Sequence, residues 1–288
     1  MFPSRRDFLL TWGLRGCGVL TASVVLMILG FLLRESLPTI SRVGIDRFLG
    51  DATWHPSSGA EGGQFNLVPM IVATLLTTAG AVLVAAPVGI AAAIFSHYYA
   101  PRWLGVVFAK IIELLAGIPS VVYGLWGLTV LVPLIAQWQP PGPSLLAAVI
   151  VLSMMIVPTI GLFASAAFQS LPIEHLHAAA ALGLSRPRFI LSVALPASRS
   201  GLFTAIILGT GRAIGETMAV LMVAGNVVQT PDSLFQPVRT ITANIALEMA
   251  YAMGDHRGAL FVCGLLLMGM VIVLVAAADR LGRGGARA

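Results

Sequence analysis

Six stretches of this chain are apolar for long enough to cross a lipid bilayer, and that alone restricts what it can fold into. An α-helix needs roughly 20 apolar residues to span the hydrocarbon layer. Runs near that length occur at 14–33, 67–95, 145–168, 201–228 and 259–278. Another, 104–136, is too long for one straight span and is punctuated by Gly117-Ile118-Pro119-Ser120. Pro119 lacks a backbone donor and disfavours helix at Ile118, so a break is expected there. The part after it, 121–136, supplies the remaining span, and the part before it, with Lys110 and Glu113, reads as lying near one interface. No β-alternation is present, so a barrel is excluded. The expected fold is an all-α integral membrane protein with six transmembrane helices. Composition agrees: 58% of residues are hydrophobic and 10% charged, against about 25% charged in ordinary soluble domains. A soluble enzyme, a disordered regulator and a DNA-binding domain are thereby excluded.

The basic residues orient the spans. Arg5, Arg6 and Arg15 precede the first run, Arg102 and Lys110 follow the second, Arg186, Arg188 and Arg199 follow the fourth, and Arg280, Arg283 and Arg287 follow the last. Simple alternation puts all of them on one side, which the positive-inside rule makes cytoplasmic, with both termini inside. The other side carries Arg34, Arg42, Arg47, Arg239 and Arg257, diluted by acids that include Glu61, Glu248 and Asp255. Its long segments are 38–66 and 229–257, and the turn 137–143 is short and proline-rich. The net charge of +5 forms no basic stripe, so no nucleic-acid partner is expected. Ser4-Arg5-Arg6-Asp7-Phe8-Leu9 reads like a twin-arginine signal. The apolar run after it is long for a signal, and more membrane spans follow, so the arginines are read as a cytoplasmic anchor.

Residues 169–199 form the longest polar cytoplasmic loop, QSLPIEHLHAAAALGLSRPRFILSVALPASR. Strong helix formers over 174–182 follow Pro172, a helix starter. Gly183 then supplies a turn, and Ser185 is a plausible cap for a second short helix reaching Leu191. The spacing of Ala178-Ala179, Gly183, Val193 and Leu195-Pro196 follows E-A-A-x3-G-x9-I-x-L-P, with Val193 standing for Ile and His177 for the opening Glu, while Glu174 lies one turn earlier. That pattern resembles the cytoplasmic coupling loop of ABC importer permeases. The resemblance implies that Glu174, His177, Ala178, Ala179, Gly183, Leu195 and Pro196 serve contact with an ATPase. No G-x-x-x-x-G-K-[ST] occurs in the chain, so the ATPase is expected on a separate polypeptide.

The fifth run carries charge. Arg212 lies about 13 residues beyond Arg199, roughly 20 Å along a helix, hence deep in the membrane. An intramembrane arginine costs at least ~2.5–3.5 kcal/mol on insertion scales and is a functional candidate by default. Glu216, four residues on, would share its helical face and partly neutralise it. Gly209, Gly211, Gly215 and Ala219 leave room for a close backbone neighbour, and Gly211-x-x-x-Gly215 reads as a small-residue packing stripe. From spacing alone two readings stand: a guanidinium fork offered to an anion in an aqueous pathway, or a structural ion pair between helices.

The run from Gly211 to Val220, GRAIGETMAV, ending at Ala224-Gly225-Asn226, is similar to the C-type permeases of phosphate-specific ABC importers. Gly117-Ile118-Pro119-Ser120-Val121-Val122-Tyr123-Gly124 and Val238-Arg239-Thr240-Ile241-Thr242-Ala243-Asn244 carry the same likeness, which spans about 66–281. It implies a type I ABC importer permease architecture. The division expected is an N-terminal helix with its external loop (1–66), a permease core (67–281) and a cytoplasmic tail (282–288). The implied function is a non-catalytic permease subunit for inorganic phosphate in a bacterial inner membrane, with Arg212 and Glu216 in the pathway. The implied partners are a related A-type permease, a cytoplasmic ATP-binding dimer using ATP and Mg, and an extracytoplasmic phosphate-binding protein. No cofactor is expected on this chain. Another oxyanion such as molybdate or sulfate, the A-type role, or an ion-coupled transporter or channel are the alternatives.

Ser120, Tyr123 and Thr129 are expected to satisfy backbone groups freed by the break rather than to line a pathway. Residues 239–253 have helical spacing, with Asn244 and Glu248 on polar positions, and could cover the outer mouth. His55, His97, His175, His177 and His256 lack metal-ligand spacing. Trp12, Trp54, Trp103 and Trp138 near span ends read as an aromatic belt. Cys17 and Cys263, each in an apolar run, are not expected to pair.

Overall fold

The computed structural model describes residues 5–56 and 62–285. Glu61 and Arg287 of the charge balance, Ser4 of the twin-arginine stretch and the end of the 282–288 tail lie outside them. The main elements are α1 (Arg5–Val43), β1 (Trp54–His55), β2 (Gln64–Phe65), α2 (Val68–Ile94), α3 (Arg102–Gly117), α4 (Ser120–Trp126), α5 (Leu145–Gln169), α6 (Ile173–Ala181), α7 (Arg186–Ala197), α8 (Arg199–Ile214), α9 (Met218–Val223), α10 (Ile241–Glu248) and α11 (Gly254–Gly285). A wider turn, Phe95–Tyr99, extends α2, and α4 continues through Gly127–Leu131 and Val132–Trp138. Among the described residues five helices are long and apolar enough to cross a membrane, or up to six where the bent pair α7 and α8 counts as one span.

Two expectations about the spans need correction. The first helix does not end near residue 33 but runs to Val43, through Pro38. Gly44, at φ +89, then turns the chain, a conformation open to glycine at little cost. The fifth span is not one helix over 201–228. Helix α8 stops at Ile214, where Gly215 caps it, and α9 begins only at Met218; the 72° bend between α7 and α8 lies ahead of the run. A 16-residue helix is about 24 Å long, short of the ~30 Å hydrocarbon layer. Apolar composition continues through the break, which is why periodicity alone does not reveal it.

The chain divides into two compact units, one of Leu67–Leu247 with Leu267–Ala288 and one of Met1–Asn66 with Glu248–Leu266. In the larger unit α5 packs on α2 and α8. The contact face of α2 is made mostly of small side chains, against larger ones on α5 such as Ile160: Ala73, Thr77, Ala81, Ala85 and Gly89 on α2 are buried, while Leu75, Leu76, Leu83 and Val84 face outward. Lipid tails are as apolar as leucine, so helices in a bilayer gain by close approach rather than by hiding large aliphatics. On α8 the close approach lies at Gly201 and Gly209, where an added Cβ would sit 2.5 Å from Ala167 and 2.7 Å from Ile160. Gly211 meets nothing within 4 Å and Gly215 only the carbonyl of Gly211, so the expected stripe is displaced; Ala219 does pack closely, against Gly124. The amide groups opening α5 donate to carbonyls of Val223, Gln236 and Leu234, and Ser144 caps it through Ala147 N–H.

In the smaller unit, Phe31 of α1 meets Phe261 of α11 edge-on at 5.5 Å, and Arg42 pairs with Asp255 at 2.8 Å. β1 and β2 form a two-stranded antiparallel hairpin, with Trp54 opposite Phe65. Trp54 is not an interfacial side chain: it is buried, and its Nε1–H donates to Glu248 at 2.8 Å. The same carboxylate oxygen lies 2.9 Å from His256 Nε2. Glu248 is therefore a buried hub rather than a solvated polar position. Trp12, Trp103 and Trp138 are exposed, Cys17 is exposed, and Cys263 is buried.

Two outcomes follow. Gly209→Leu overpacks the α5–α8 contact and should destabilise the detergent-solubilised protein by about 1–3 kcal/mol, read as a lowered Tm. Glu248→Ala strands the Trp54 and His256 donors and should cost at least about 2 kcal/mol, with a changed Trp emission on thermal unfolding.

Candidate functional site: two broken helices and an intramembrane arginine

The site is built where two helices break. At the first break α3 ends at Gly117 and α4 begins at Ser120, with Ile118 and Pro119 extended. The freed carbonyl of Leu115 accepts the Tyr123 hydroxyl at 2.9 Å, and Thr129 donates back to the Leu125 carbonyl at 2.8 Å. Both hydroxyls serve backbone groups, as expected for a kink inside lipid. Lys110 and Glu113 pair at 2.9 Å on the exposed face of α3.

The second break follows Arg212. α9 packs on α4, and a Cβ on Gly124 would lie 2.9 Å from Ala219 Cα, so the two broken segments meet backbone to backbone. Glu216 does not share a helical face with Arg212, because the helix has already ended. Its carboxylate accepts the Ala219 N–H at 3.0 Å, near the start of α9. Acceptors are favoured at a helix N-terminus, where amides lack partners. The Glu216 carbonyl in turn accepts the Thr242 hydroxyl from α10 at 2.8 Å. Beyond α9, Gly225 (φ +85) and Asn226 (φ 56) turn the chain. Arg239 holds that turn, donating from Nε to the Asn226 carbonyl at 2.8 Å and from Nη1 to Asn244 Oδ1 at 3.1 Å.

Arg212 is half-buried, and its Nη1 donates to Thr159 Oγ1 on α5 at 2.8 Å. Among the described residues no carboxylate pairs with it. The partner that orients the guanidinium is thus a neutral hydroxyl, which fixes one nitrogen while leaving the charge uncancelled and the rest of the fork free. Thr159 was not legible as a site residue, since nothing marks one hydroxyl in an apolar run. Arg212 and Glu216 come from adjacent elements but do different work.

The remaining candidate residues lie on α6 and α7. Glu174, His177 and Ala178 are exposed on α6, and Ala179 is buried against Phe189, Ile190 and Ala194. Gly183 has φ +68; its N–H bonds the Ala180 carbonyl, and Leu184 N–H bonds that of Ala179, closing α6 by the left-handed turn glycine favours. Ser185 occupies the cap position of the next helix, but its side chain makes no capping bond. That helix runs past Leu191 to Ala197; Leu195 is half-buried within it, and Pro196 is exposed. Ile173, Leu176, Leu182 and Leu191 are exposed beside Glu174, Arg186 and Arg188, a mixed apolar and charged face. Among the described residues no cluster of His, Cys, Asp and Glu could hold a metal.

Residues 85–284 match the family described as binding-protein-dependent transport system inner membrane component. A probable ABC transporter permease protein of Bacillus subtilis, YqgH, is 39% identical over 273 residues, covering 91% of this chain and 88% of that one. The phosphate transport system permease protein PstC of Xylella fastidiosa is 37% identical over 249 residues, covering 79% and 74%. Among solved structures, a chain of the inward-facing MetNI methionine ABC transporter superposes with a TM-score of 0.59 at 19% identity, covering 76% of this chain and 94% of that one. A chain of a bacterial ABC transporter involved in alginate import gives 0.59 at 17% identity, covering 95% and 98%. The fold is that of type I ABC importer permeases. The extent of these matches places the chain among the binding-protein-dependent transport system inner membrane components: it belongs to this family of multi-pass ABC transporter permeases.

Proposed function

We propose that the chain is the C-type permease of an ATP-driven phosphate importer and forms half of its translocation pathway. The observation that carries this reading is the Arg212 guanidinium at a helix break in the membrane, anchored by Thr159 and not neutralised by a carboxylate. A planar fork with free donors matches two oxygens of a tetrahedral oxyanion at once. Relatives named as phosphate transport permeases, at 34–37% identity over most of the chain, support phosphate as that oxyanion. Glu216 stands beside the pathway as the carboxylate that caps α9, so anion release is not governed by a fixed ion pair.

In this reading both termini are cytoplasmic and α6 with α7 faces the cytoplasm. There they seat on a separate ATP-binding subunit, which uses ATP and Mg. Their exposed apolar and charged side chains suit a protein groove better than open water. A related A-type permease completes the pathway, and an extracytoplasmic phosphate-binding protein delivers substrate to the outer face. The membrane is the bacterial inner membrane.

Arg212→Gln should abolish phosphate uptake while the complex still assembles, and Thr159→Val, which removes one hydrogen bond to a charged donor, should lower uptake roughly tenfold. Uptake of radiolabelled phosphate into proteoliposomes holding the complete transporter checks both; normal uptake by Arg212→Gln would remove the pathway role. Gly183→Leu forces a side chain into a left-handed conformation at a cost of about 1–2 kcal/mol. It should separate ATP hydrolysis from uptake or release the ATPase, as read by co-purification and phosphate liberated per phosphate imported.

A further inference from the structure

The segment that would meet the ATPase rests on the membrane helices through Ile94, Leu171, Leu195 and one aromatic ring. Tyr98, in the wider turn that extends α2, stands edge-on between Phe168 at the end of α5 and Phe189 of α7. Both centroid separations are 5.7 Å, with interplanar angles of 71° and 78°. His97 meets the same ring at 4.7 Å. Phe168 and Phe189 are buried in two separate apolar clusters, one around Ala93, Ala164 and Leu202 and one around Ala179, Ile190 and Ala194. Tyr98, Ile94, Leu171 and Leu195 border both clusters, and Tyr98 is the aromatic among them. A cavity of about 290 Å³ beside the ring is lined by His97, Tyr98, Leu176, Arg186, Phe189 and Ile190.

An edge-to-face aromatic contact has a preferred geometry and resists sliding, whereas the empty volume beside it leaves room for α7 to tilt. Phe168 and Thr159 lie on one helix about nine residues apart, a rigid rod of roughly 13 Å. Thr159 holds Arg212 at 2.8 Å. Ring contacts thus link Phe189, Tyr98 and Phe168, the α5 backbone joins Phe168 to Thr159, and one hydrogen bond joins Thr159 to the Arg212 guanidinium.

We propose that Tyr98 is the positioning residue through which displacement of α7 is passed to α5 and so to the Arg212 fork. The inference rests on the reading of α6 and α7 as the ATPase-coupling segment. It assigns the role to the ring, not to the hydroxyl, and it treats the cavity as the space into which α7 moves.

The test uses the complete transporter, both permeases with the ATPase and phosphate-binding protein, in proteoliposomes containing radiolabelled phosphate outside and ATP at the ATPase face. Tyr98→Ala should raise the ATP hydrolysed per phosphate imported by roughly tenfold, and Tyr98→Phe should restore the wild-type ratio. If Tyr98→Ala fails to assemble, Tyr98→Leu, which refills most of the volume without an aromatic edge, should show the same raised ratio. A double-mutant cycle of Tyr98→Leu with Phe189→Leu should be non-additive in that ratio. An unchanged ratio in the assembled variants, a Tyr98→Phe variant as poor as the Leu variant, or an additive cycle would overturn the proposal. Failure of the underlying reading is distinct: the wild-type chain itself would then neither hold an ATPase nor import phosphate.

Discussion

Every interruption of a helix inside a bilayer exposes peptide groups that have no water to turn to, and satisfying them is the constraint on which this structure depends. The two breaks show how it is met. At 118–119 the Tyr123 hydroxyl reaches back across the gap to Leu115. At 215–217 the Glu216 carboxylate takes an amide of α9, its carbonyl takes the Thr242 hydroxyl, and the Asn226 side chain donates to Leu221. The long segment after α9 is drawn into the same scheme, since Ala224 and Asn226 exchange backbone bonds with Val238. Polar side chains in this region are thus largely committed to the backbone. Among the described residues, what remains uncommitted here is Asn226 Oδ1, Asn244 Nδ2 and most of the Arg212 fork, and of these the fork alone carries charge.

The packing that supports these breaks sets small side chains against large ones. Alanine, threonine and glycine line most of the contact face of α2, with leucine and valine outward, while α5 buries Val151, Leu152, Met155, Ile156 and Ile160. With backbones this close, displacement of one helix is carried by its neighbours as a body. That stiffness lets a hydrogen bond between Thr159 and Arg212 set the place of a charge, and it gives aromatic contacts at the helix ends a rigid element to act on.

Much of this was legible in the amino-acid sequence, for identifiable reasons. Long apolar runs announce spans, Pro119 announces a break, and glycine at 183 announces a left-handed turn, because each depends on residues close together in the chain. The departures arose where distant residues decide. Trp54, Glu248 and His256 look unrelated until the chain brings them within 3 Å of a shared oxygen. Arg212 and Glu216 have the spacing of a helical pair, yet Gly215 ends the helix between them and α10 supplies the bonds that make the break affordable. Gly209, Gly211 and Gly215 look alike as small residues in one run; only the position of Ile160 marks Gly209 as a close contact. The apolar run stops near residue 33, but α1 stays helical to Val43, through Pro38.

A neutral hydroxyl can steady a cation without diminishing it. Whatever borders the open side of Arg212 must therefore tolerate a full positive charge, which hydrocarbon does not. The flank of α8 that bears it is suited to water or to a polar neighbour, and a solitary copy of this chain with that flank turned to lipid would be the costlier arrangement.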